Sequence, residues 1–337
     1  MKRRVIRSFV LTSRPQGVPV PDNFRMIETA FSELDVGQVL LQMLWLSLDP
    51  YMRGSMDTGP SYTPRIDLGQ PMPAELVSTV VETRHPEWQV GEVVVHDAGW
   101  QDYTVTDGTG MRRLDARCAP VSTALGVLGM PGMTAFVGLA NIAEPKPGET
   151  LVVAAAAGPV GSAVGQIAKI KGCRIVGIAG GERKRQYLRD ELGFDAALDH
   201  RDSGLAERLA EACPDGIDIY WENVGGRISE VVLPLLNRFA RVPVCGLVAL
   251  YNHSDPTIGP TTPSLMRAIL TNRLRIEGFI VDDHSEQAEA FRQEMSVWLR
   301  DGRVRYREDI TDGFEHAPSR FIAMLRGETF GKTLVRL

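Results

Sequence analysis

The sequence predicts an α/β protein: a doubly wound parallel sheet with helices on both faces, accompanied by a smaller β-rich domain. Three observations predict it. An unbroken apolar run at 151–157 leads into Gly158 and Gly161 and then into an amphipathic helical pattern. From there to residue 279, short apolar runs alternate with helical ones. The first 126 residues carry only short strand-like runs broken by Pro, Gly and Asp. Alternation of the first kind forms parallel sheets, and the second pattern forms a β-rich, partly closed barrel.

Taken in order, residues 39–45, 76–81 and 91–95 read as strands of the first domain. The 151–157 run reads as a strand buried on both faces. Val160, Val164, Ile167 and Ala168 follow at i, i+4, i+7 and i+8, the spacing of one buried helical face. Further strands are expected at 173–181, 196–199, 217–221, 240–244 and 274–279. Helices are expected at 205–212, 231–236 and 264–272. The last ~37 residues, counted roughly against the size of a βα unit, leave room for a strand at 332–335 but not for such a unit. They are expected to rejoin the first domain, so that 1–126 and 300–337 flank a second domain at 127–299.

A buried strand, a glycine turn and a helix N-terminus make a pyrophosphate-binding unit. Glycine lets the backbone approach the phosphates, and the exposed N–H groups and helix dipole favour negative charge. The usual first glycine of the pattern is Ala156 here, which leaves a plain strand-to-helix turn as the competing reading. The next strand ends in Ala179, Gly180 and Gly181, with no carboxylate to hold ribose hydroxyls. Arg183, Lys184 and Arg185 follow, and cations there attract a 2′-phosphate. This favours NADP(H), with a solvated helix face as the alternative.

Length and charge bound the rest. At 337 residues with 44% hydrophobic content, two ordinary domains are expected. Thirty-seven cationic against 42 anionic side chains give −5, with no basic stripe for nucleic acid. No apolar run approaches the roughly 20 residues of a membrane helix. Met1-Lys2-Arg3-Arg4 is basic, but Ser8 and Arg14 interrupt the apolar residues after it, so no signal peptide is expected. Cys118, Cys173, Cys213 and Cys245 are isolated, which points to a reducing, cytoplasmic compartment. Residues 60–80 contain no His or Cys, and His85, His96, His200, His253, His284 and His316 are scattered. A metal centre is therefore not expected.

Several strings run nearly end to end through the chain. They are Leu46-Ser47-Leu48-Asp49-Pro50-Tyr51-Met52-Arg53-Gly54, Gly99-Trp100-Gln101-Asp102-Tyr103 and Gly129-Met130-Pro131-Gly132-Met133-Thr134-Ala135. Beyond the glycine turn come Leu198-Asp199-His200, Glu222-Asn223-Val224-Gly225-Gly226, Val232-Leu233-Pro234-Leu235-Leu236-Asn237, Val244-Cys245-Gly246-Leu247 and Gly331-Lys332. Together they resemble the zinc-independent medium-chain dehydrogenase/reductases. The branch most similar contains prostaglandin reductases, plant alkenal double-bond reductases and bacterial curcumin/dihydrocurcumin reductases.

That resemblance implies a GroES-like barrel domain plus a Rossmann domain, usually a homodimer. It implies NADPH as cofactor and reduction of the carbon–carbon double bond of α,β-unsaturated carbonyls. By motif, Gly158, Pro159, Val160, Gly161 and Ser162 would hold pyrophosphate, and Gly180, Lys184 and His200 would meet the 2′-phosphate end. Asn223, Cys245, Gly246, Leu247, Tyr251, Phe279, Ile280 and Val281 would line the path to the nicotinamide, with Met130 and Thr134 beside it. His200 stands where many relatives carry tyrosine, and Thr329 where some carry asparagine. The segment Gly69-Gln70-Pro71-Met72-Pro73-Ala74-Glu75 lacks the glycines expected around the substrate pocket, leaving substrate range open.

Without a metal, the reaction expected is hydride transfer to the β-carbon of a small hydrophobic or phenolic enone. The developing enolate oxygen then needs a hydrogen-bond donor. Tyr251, Tyr62 in Pro60-Ser61-Tyr62-Thr63-Pro64, and Tyr51 are the candidate phenols, each alternatively a packing residue. A ribose hydroxyl of the cofactor is a further candidate. Arg53 reads as a structural ion-pair partner and Cys245 as a buried, non-nucleophilic thiol. Two other functions stay open: an NADPH-dependent quinone oxidoreductase, and an NADPH-binding sensor or structural protein without turnover.

Overall fold

A computed structural model describes residues 4–31, 33–59, 61–252 and 259–337. Met1, Lys2, Arg3, Pro60 and His253 lie outside the described residues. The chain divides into two compact units, Met1–Gly126 with Glu308–Leu337, and Val127–Arg307.

The first unit opens with β1 (Arg4–Leu11) and β2 (Phe24–Phe31), paired antiparallel. Next come β3 (Val39–Ser47), the single helical turn α1 (Met52–Ser55), β4 (Pro73–Thr83), β5 (Val93–Gly99), β6 (Tyr103–Thr106) and β7 (Arg112–Arg113). Three of these strands had sequence signals: β3 and β4 run longer than expected, and the strand expected at 91–95 is shifted to Val93–Gly99. Trp100 anchors the core: it is stacked on Phe24 at 5.6 Å and meets Phe321 edge-on at 5.5 Å. Asp102, two residues on, accepts from the Arg7 backbone N–H and from Arg7 Nε, tying β1 to the Gly99–Tyr103 string.

The second unit contains α2 (Met130–Gly138), β8 (Thr150–Ala154), α3 (Pro159–Ile170), β9 (Arg174–Ile178), α4 (Glu182–Gln186) and β10 (Ala196–Leu198). It continues with α5 (Leu205–Ala212), β11 (Ile217–Trp221), α6 (Gly226–Val232), β12 (Leu236–Val244), α7 (Thr262–Asn272), β13 (Arg275–Gly278) and α8 (Ala288–Arg300). Its six strands are all parallel, in the order β10-β9-β8-β11-β12-β13. This is the Rossmann-type doubly wound sheet. Its direction of winding reverses between β8 and β11, and ligands of such sheets bind at the crevice beyond those strand ends. Every residue of β8 is buried, as a central parallel strand requires.

Most expected elements shift by a residue or two at their ends, and two depart further. β8 stops at Ala154 because Ala155 turns to φ 50° and starts the loop. The helix expected at 231–236 ends at Val232 and tightens into a 3₁₀ turn over Leu233–Leu235, around Pro234, which has no N–H to continue the ladder. Leu236 already belongs to β12, whose register against β11 jumps from Leu236↔Ile217 to Arg241↔Ile219.

The C-terminal segment also corrects the sequence reading. β14 (Glu308–Asp312), α9 (Ala317–Leu325) and β15 (Lys332–Arg336) do form a β–α–β unit, with β14 parallel to β15. β15 then pairs antiparallel with β3. The resulting sheet runs β14-β15-β3-β4-β5-β7, with β6 on the first half of β3. It is open, not a partly closed barrel. β7 has two residues and β14 pairs only with β15, so the two end strands do not meet.

Candidate functional site

The glycine turn follows directly from β8. Ala156 N–H donates to Ile178 O, and Gly158 N–H to Ala155 O at 2.9 Å, which folds the loop back on itself. A Cβ on Gly161 would lie 2.5 Å from Ala155 O, so only glycine lets α3 start this close to the loop. Pro159 occupies the first helical position, where no N–H is needed. The N–H groups of Val160 and Gly161 have no acceptor among the described residues. Ser162 N–H returns to Gly158 O, and its hydroxyl to Pro159 O. The helix end thus presents free N–H groups and the positive pole of its dipole, a ready anion site. Ala156, in place of the usual first glycine, is fully buried, and its methyl faces Gly177 on β9.

Across the switch point, Asn223 spans the two strand ends. Its Nδ2 donates to Ala154 O at 2.8 Å, and its Oδ1 accepts from Trp221 Nε1 at 3.0 Å. The preceding Glu222 is buried and accepts from the Val224 and Gly225 N–H groups and from Ser229 Oγ, shaping the turn into α6. Its carbonyl takes the N–H groups of Cys245 and Gly246, and Asn223 O takes Val248 N–H. The loop after β12 is therefore laced onto the loop after β11. The Tyr251 phenol comes back over it, 3.5 Å from where a Gly246 Cβ would sit. Burial pushes the Cys245 thiol up to about 12, so it is no thiolate at neutral pH. Phe279 packs edge-on against Trp221 at 5.8 Å, and Ile280 and Val281 follow it, half-buried. On α2, Thr134 is buried and its hydroxyl donates to Met130 O.

At the end of β9 the chemistry is cationic. Gly181 N–H and Arg201 N–H both donate to Asp199. Burial pushes that carboxyl up, but these donors outweigh it and hold it below the usual range. Glu182 is paired with Arg185 and Arg189. Both nearby carboxylates are thus engaged. His200 sits against Gly180, within the field of Lys184, Arg201 and Arg227. Arg227, on the first turn of α6, donates to Asp202 O and Ser203 O and so pins the loop after β10.

In the first unit, the Asp49–Gly54 string is largely structural. Met52 is fully buried, and Arg53 pairs with Asp57 at 2.7 Å while donating to Gly17 O. Tyr51 is half-buried against the Trp100 cluster. Tyr62 is exposed.

Residues 7–114 match a family described as the N-terminal domain of oxidoreductase, and residues 159–297 one described as zinc-binding dehydrogenase. The chain is 51% identical over 333 residues to the NADPH-dependent curcumin reductase of Escherichia coli K12, covering 98% of this chain and 96% of that one. The chain belongs to the medium-chain dehydrogenase/reductase family. Another member, prostaglandin reductase 1 of Rattus norvegicus, is 41% identical over 335 residues, 98% of each chain. The crystal structure of the family member CurA from Vibrio vulnificus in complex with NADPH superposes with a TM-score of 0.94 at 46% identity, covering 98% of each chain.

One of the two matching family models is described by zinc binding. Among the described residues here, no three of His, Cys, Asp and Glu gather where they could hold a metal ion. Nor is any helix among them long and apolar enough to cross a membrane. Sequence reasoning missed Arg201 and Arg227. Arg201 adjoins His200 in the chain but belongs to no motif, and Arg227 reaches it from a separate helix. It placed Lys184 and His200 in one cluster, and Asn223, Cys245, Gly246 and Tyr251 in another.

Proposed function

We propose that the chain is an NADPH-dependent reductase of the carbon–carbon double bond of α,β-unsaturated carbonyl compounds, acting on hydrophobic or phenolic enones. One observation carries the reading: a glycine turn with free N–H groups and a cluster of cations at the end of β9, in a chain 51% identical to an NADPH-dependent curcumin reductase. In this reading Gly158, Pro159, Val160, Gly161 and Ser162 take the pyrophosphate. Gly180, Lys184 and His200 take the 2′-phosphate end. Asn223, Cys245, Gly246, Leu247, Phe279, Ile280, Val281, Met130 and Thr134 shape the path to the nicotinamide. Residues 127–299 serve as the nucleotide domain, and 1–126 with 300–337 as the substrate and catalytic domain.

When bound, NADPH supplies a hydride for the electrophilic β-carbon. The protein must then stabilise charge growing on the carbonyl oxygen. Tyr251 is the donor we favour, because its phenol is held over the loop that follows β12, beside Asn223. A neutral phenol donates without being consumed, and such donors act most strongly where water is excluded. Tyr62 and Tyr51, in the first unit, are the other candidates. Cys245, with its thiol protonated, contributes shape alone.

The same reading includes a cytoplasmic homodimer. An edge strand supports the pairing: β13 has β12 on one side, and all four of its residues are exposed. Met266 and Leu270 of α7 are exposed apolar residues nearby in sequence.

The deciding experiment follows NADPH absorbance with an alkenal, a linear enone, curcumin and a quinone, with NADH in parallel. Saturated carbonyl products formed with NADPH, and little turnover with NADH, are expected. Consumption by the quinone alone would make the protein a quinone oxidoreductase. Lys184→Ala is expected to weaken NADPH binding about tenfold or more while leaving NADH binding unchanged.

A further inference from the structure

His200 stands among cations drawn from three separate elements. Its ring rests on the end of β9, where a Cβ on Gly180 would come within 2.6 Å of Cε1 and 3.2 Å of Nδ1. The Arg201 guanidinium carbon lies 3.3 Å from the same point. The charged groups that face the imidazole are Asp199 and Arg201 on its own loop, Lys184 on α4 and Arg227 on α6. Three cations therefore oppose one carboxylate, which two backbone N–H groups already occupy. Burial first, then the field of Arg201 with smaller shares from Lys184 and Arg227, holds the ring below the usual histidine range. Asp199 pulls the other way and does not prevail. At neutral pH, without a nucleotide, the ring is neutral.

A phosphate monoester reverses that field. It brings about −1.5 to −2 charge and three acceptor oxygens. A neutral imidazole offers one N–H donor and an acceptor lone pair that faces the wrong partner, whereas imidazolium offers two donors. Opposite charge nearby favours the charged form of a titrating group. The group best placed to respond is the one whose proton affinity the surrounding cations suppress.

We propose that His200 takes up a proton from solvent when a 2′-phosphorylated nucleotide binds, so that the preference for NADPH over NADH strengthens as pH falls. The inference rests on the NADPH reading given above. The step is a single protonation of an imidazole nitrogen, with no bond broken and no co-reactant. Linkage fixes its sign and size. Between the free and the bound pKa of the ring, affinity for the 2′-phosphorylated nucleotide falls up to tenfold per pH unit as pH rises. NADH lacks the phosphate and escapes that slope.

The test uses the full chain and the fragment 2′,5′-ADP as probe, with titration calorimetry in two buffers of different ionisation enthalpy. The phosphate has its own proton equilibrium, so wild type is compared with His200→Tyr and His200→Gln. Wild type is expected to take up about half a proton more per nucleotide than either variant at neutral pH. Its affinity should also decline more steeply between pH 6 and about 8. Equal proton uptake in wild type and variants, with tight binding in all three, overturns the proposal and leaves the NADPH reading standing. Failure of 2′,5′-ADP to bind wild type overturns both. The Cε1–H resonance lost in the variants gives an independent readout: it should shift toward the protonated position when 2′,5′-ADP is added.

Discussion

The ammonium of Lys332 is ion-paired with the carboxylate of Asp49, 283 positions earlier, and the two side chains are only 3% and 5% exposed. Ser47 Oγ donates to the same carboxylate, and Lys332 also reaches Leu48 O. The Leu46–Gly54 and Gly331-Lys332 strings thus meet as one buried pair. Removing one partner of such a pair strands the other charge in a site built for two. Lys332→Met is expected to destabilise the fold by about 3–5 kcal/mol. The double variant Lys332→Met with Asp49→Leu should recover part of that loss, measured by urea unfolding. Equal stability of single variant and wild type would show that the pair contributes nothing.

Gly165 on α3 faces the ring of Phe194, and a Cβ there would collide with it. The same ring lies 2.8 Å from where a Gly177 Cβ would sit on β9. Gly165→Val should cost about 1–3 kcal/mol or more by overpacking. Trimming the ring in the double variant Gly165→Val with Phe194→Leu should restore part of it. Thermal unfolding of the four proteins checks this, and additive losses would contradict the contact.

Glu75 stands opposite Asp97 in the β4–β5 ladder. Burial first, then Asp97 and Asp49, push its carboxyl from 4.5 up to about 7, against the pull of Lys332. The folded state therefore holds this proton more tightly than the unfolded chain. Its contribution to stability is complete below about pH 4.5 and is lost as pH rises toward 7. Glu75→Gln should remove that loss, making the variant more stable relative to wild type at pH 7.5 than at pH 5 by on the order of 2 kcal/mol. Urea midpoints at the two pH values decide it.

Tyr251→Phe removes one hydroxyl and keeps the ring. If the phenol donates to the developing enolate oxygen, kcat for an enone should fall by roughly 10²-fold while the Kd for NADPH stays within about twofold. The same change at Tyr62 or Tyr51 should then leave kcat nearly untouched. A loss confined to Tyr62→Phe would move the role to the first unit.

The parallel sheet was legible because its strands are short apolar runs between helices of repeated pitch. Residues 205–212 and 217–221 were read to the residue. Errors came where local pattern and backbone chemistry disagree. The leucines at 233, 235 and 236 look helical, yet Pro234 ends the ladder. β1 and β2 gave no signal strong enough to separate them from loops, since they face each other across a proline-rich connection and form a two-stranded ladder of their own. β14 was hidden for another reason. Its residues, Glu308–Asp312, are three acids, a threonine and a single isoleucine, and its pairing with β15 makes it a strand. At the candidate site, the glycine turn and Lys184 carry local signals. Arg227 does not, because it lies 27 positions after His200 and only the close approach of α6 to the loop after β10 brings them together.

The order of strands in the first unit sets a timetable for synthesis. β15 lies between β14 and β3, so the sheet begun near residue 39 is completed only by residues 332–336. On the ribosome, the whole of the 127–307 unit emerges before that strand exists, and it can complete its own six-stranded sheet while β3 still offers an open edge. The nascent chain therefore carries a finished nucleotide fold beside an unfinished sheet. That edge is the place where a trigger-type chaperone, or a wrongly paired neighbour, would meet it first.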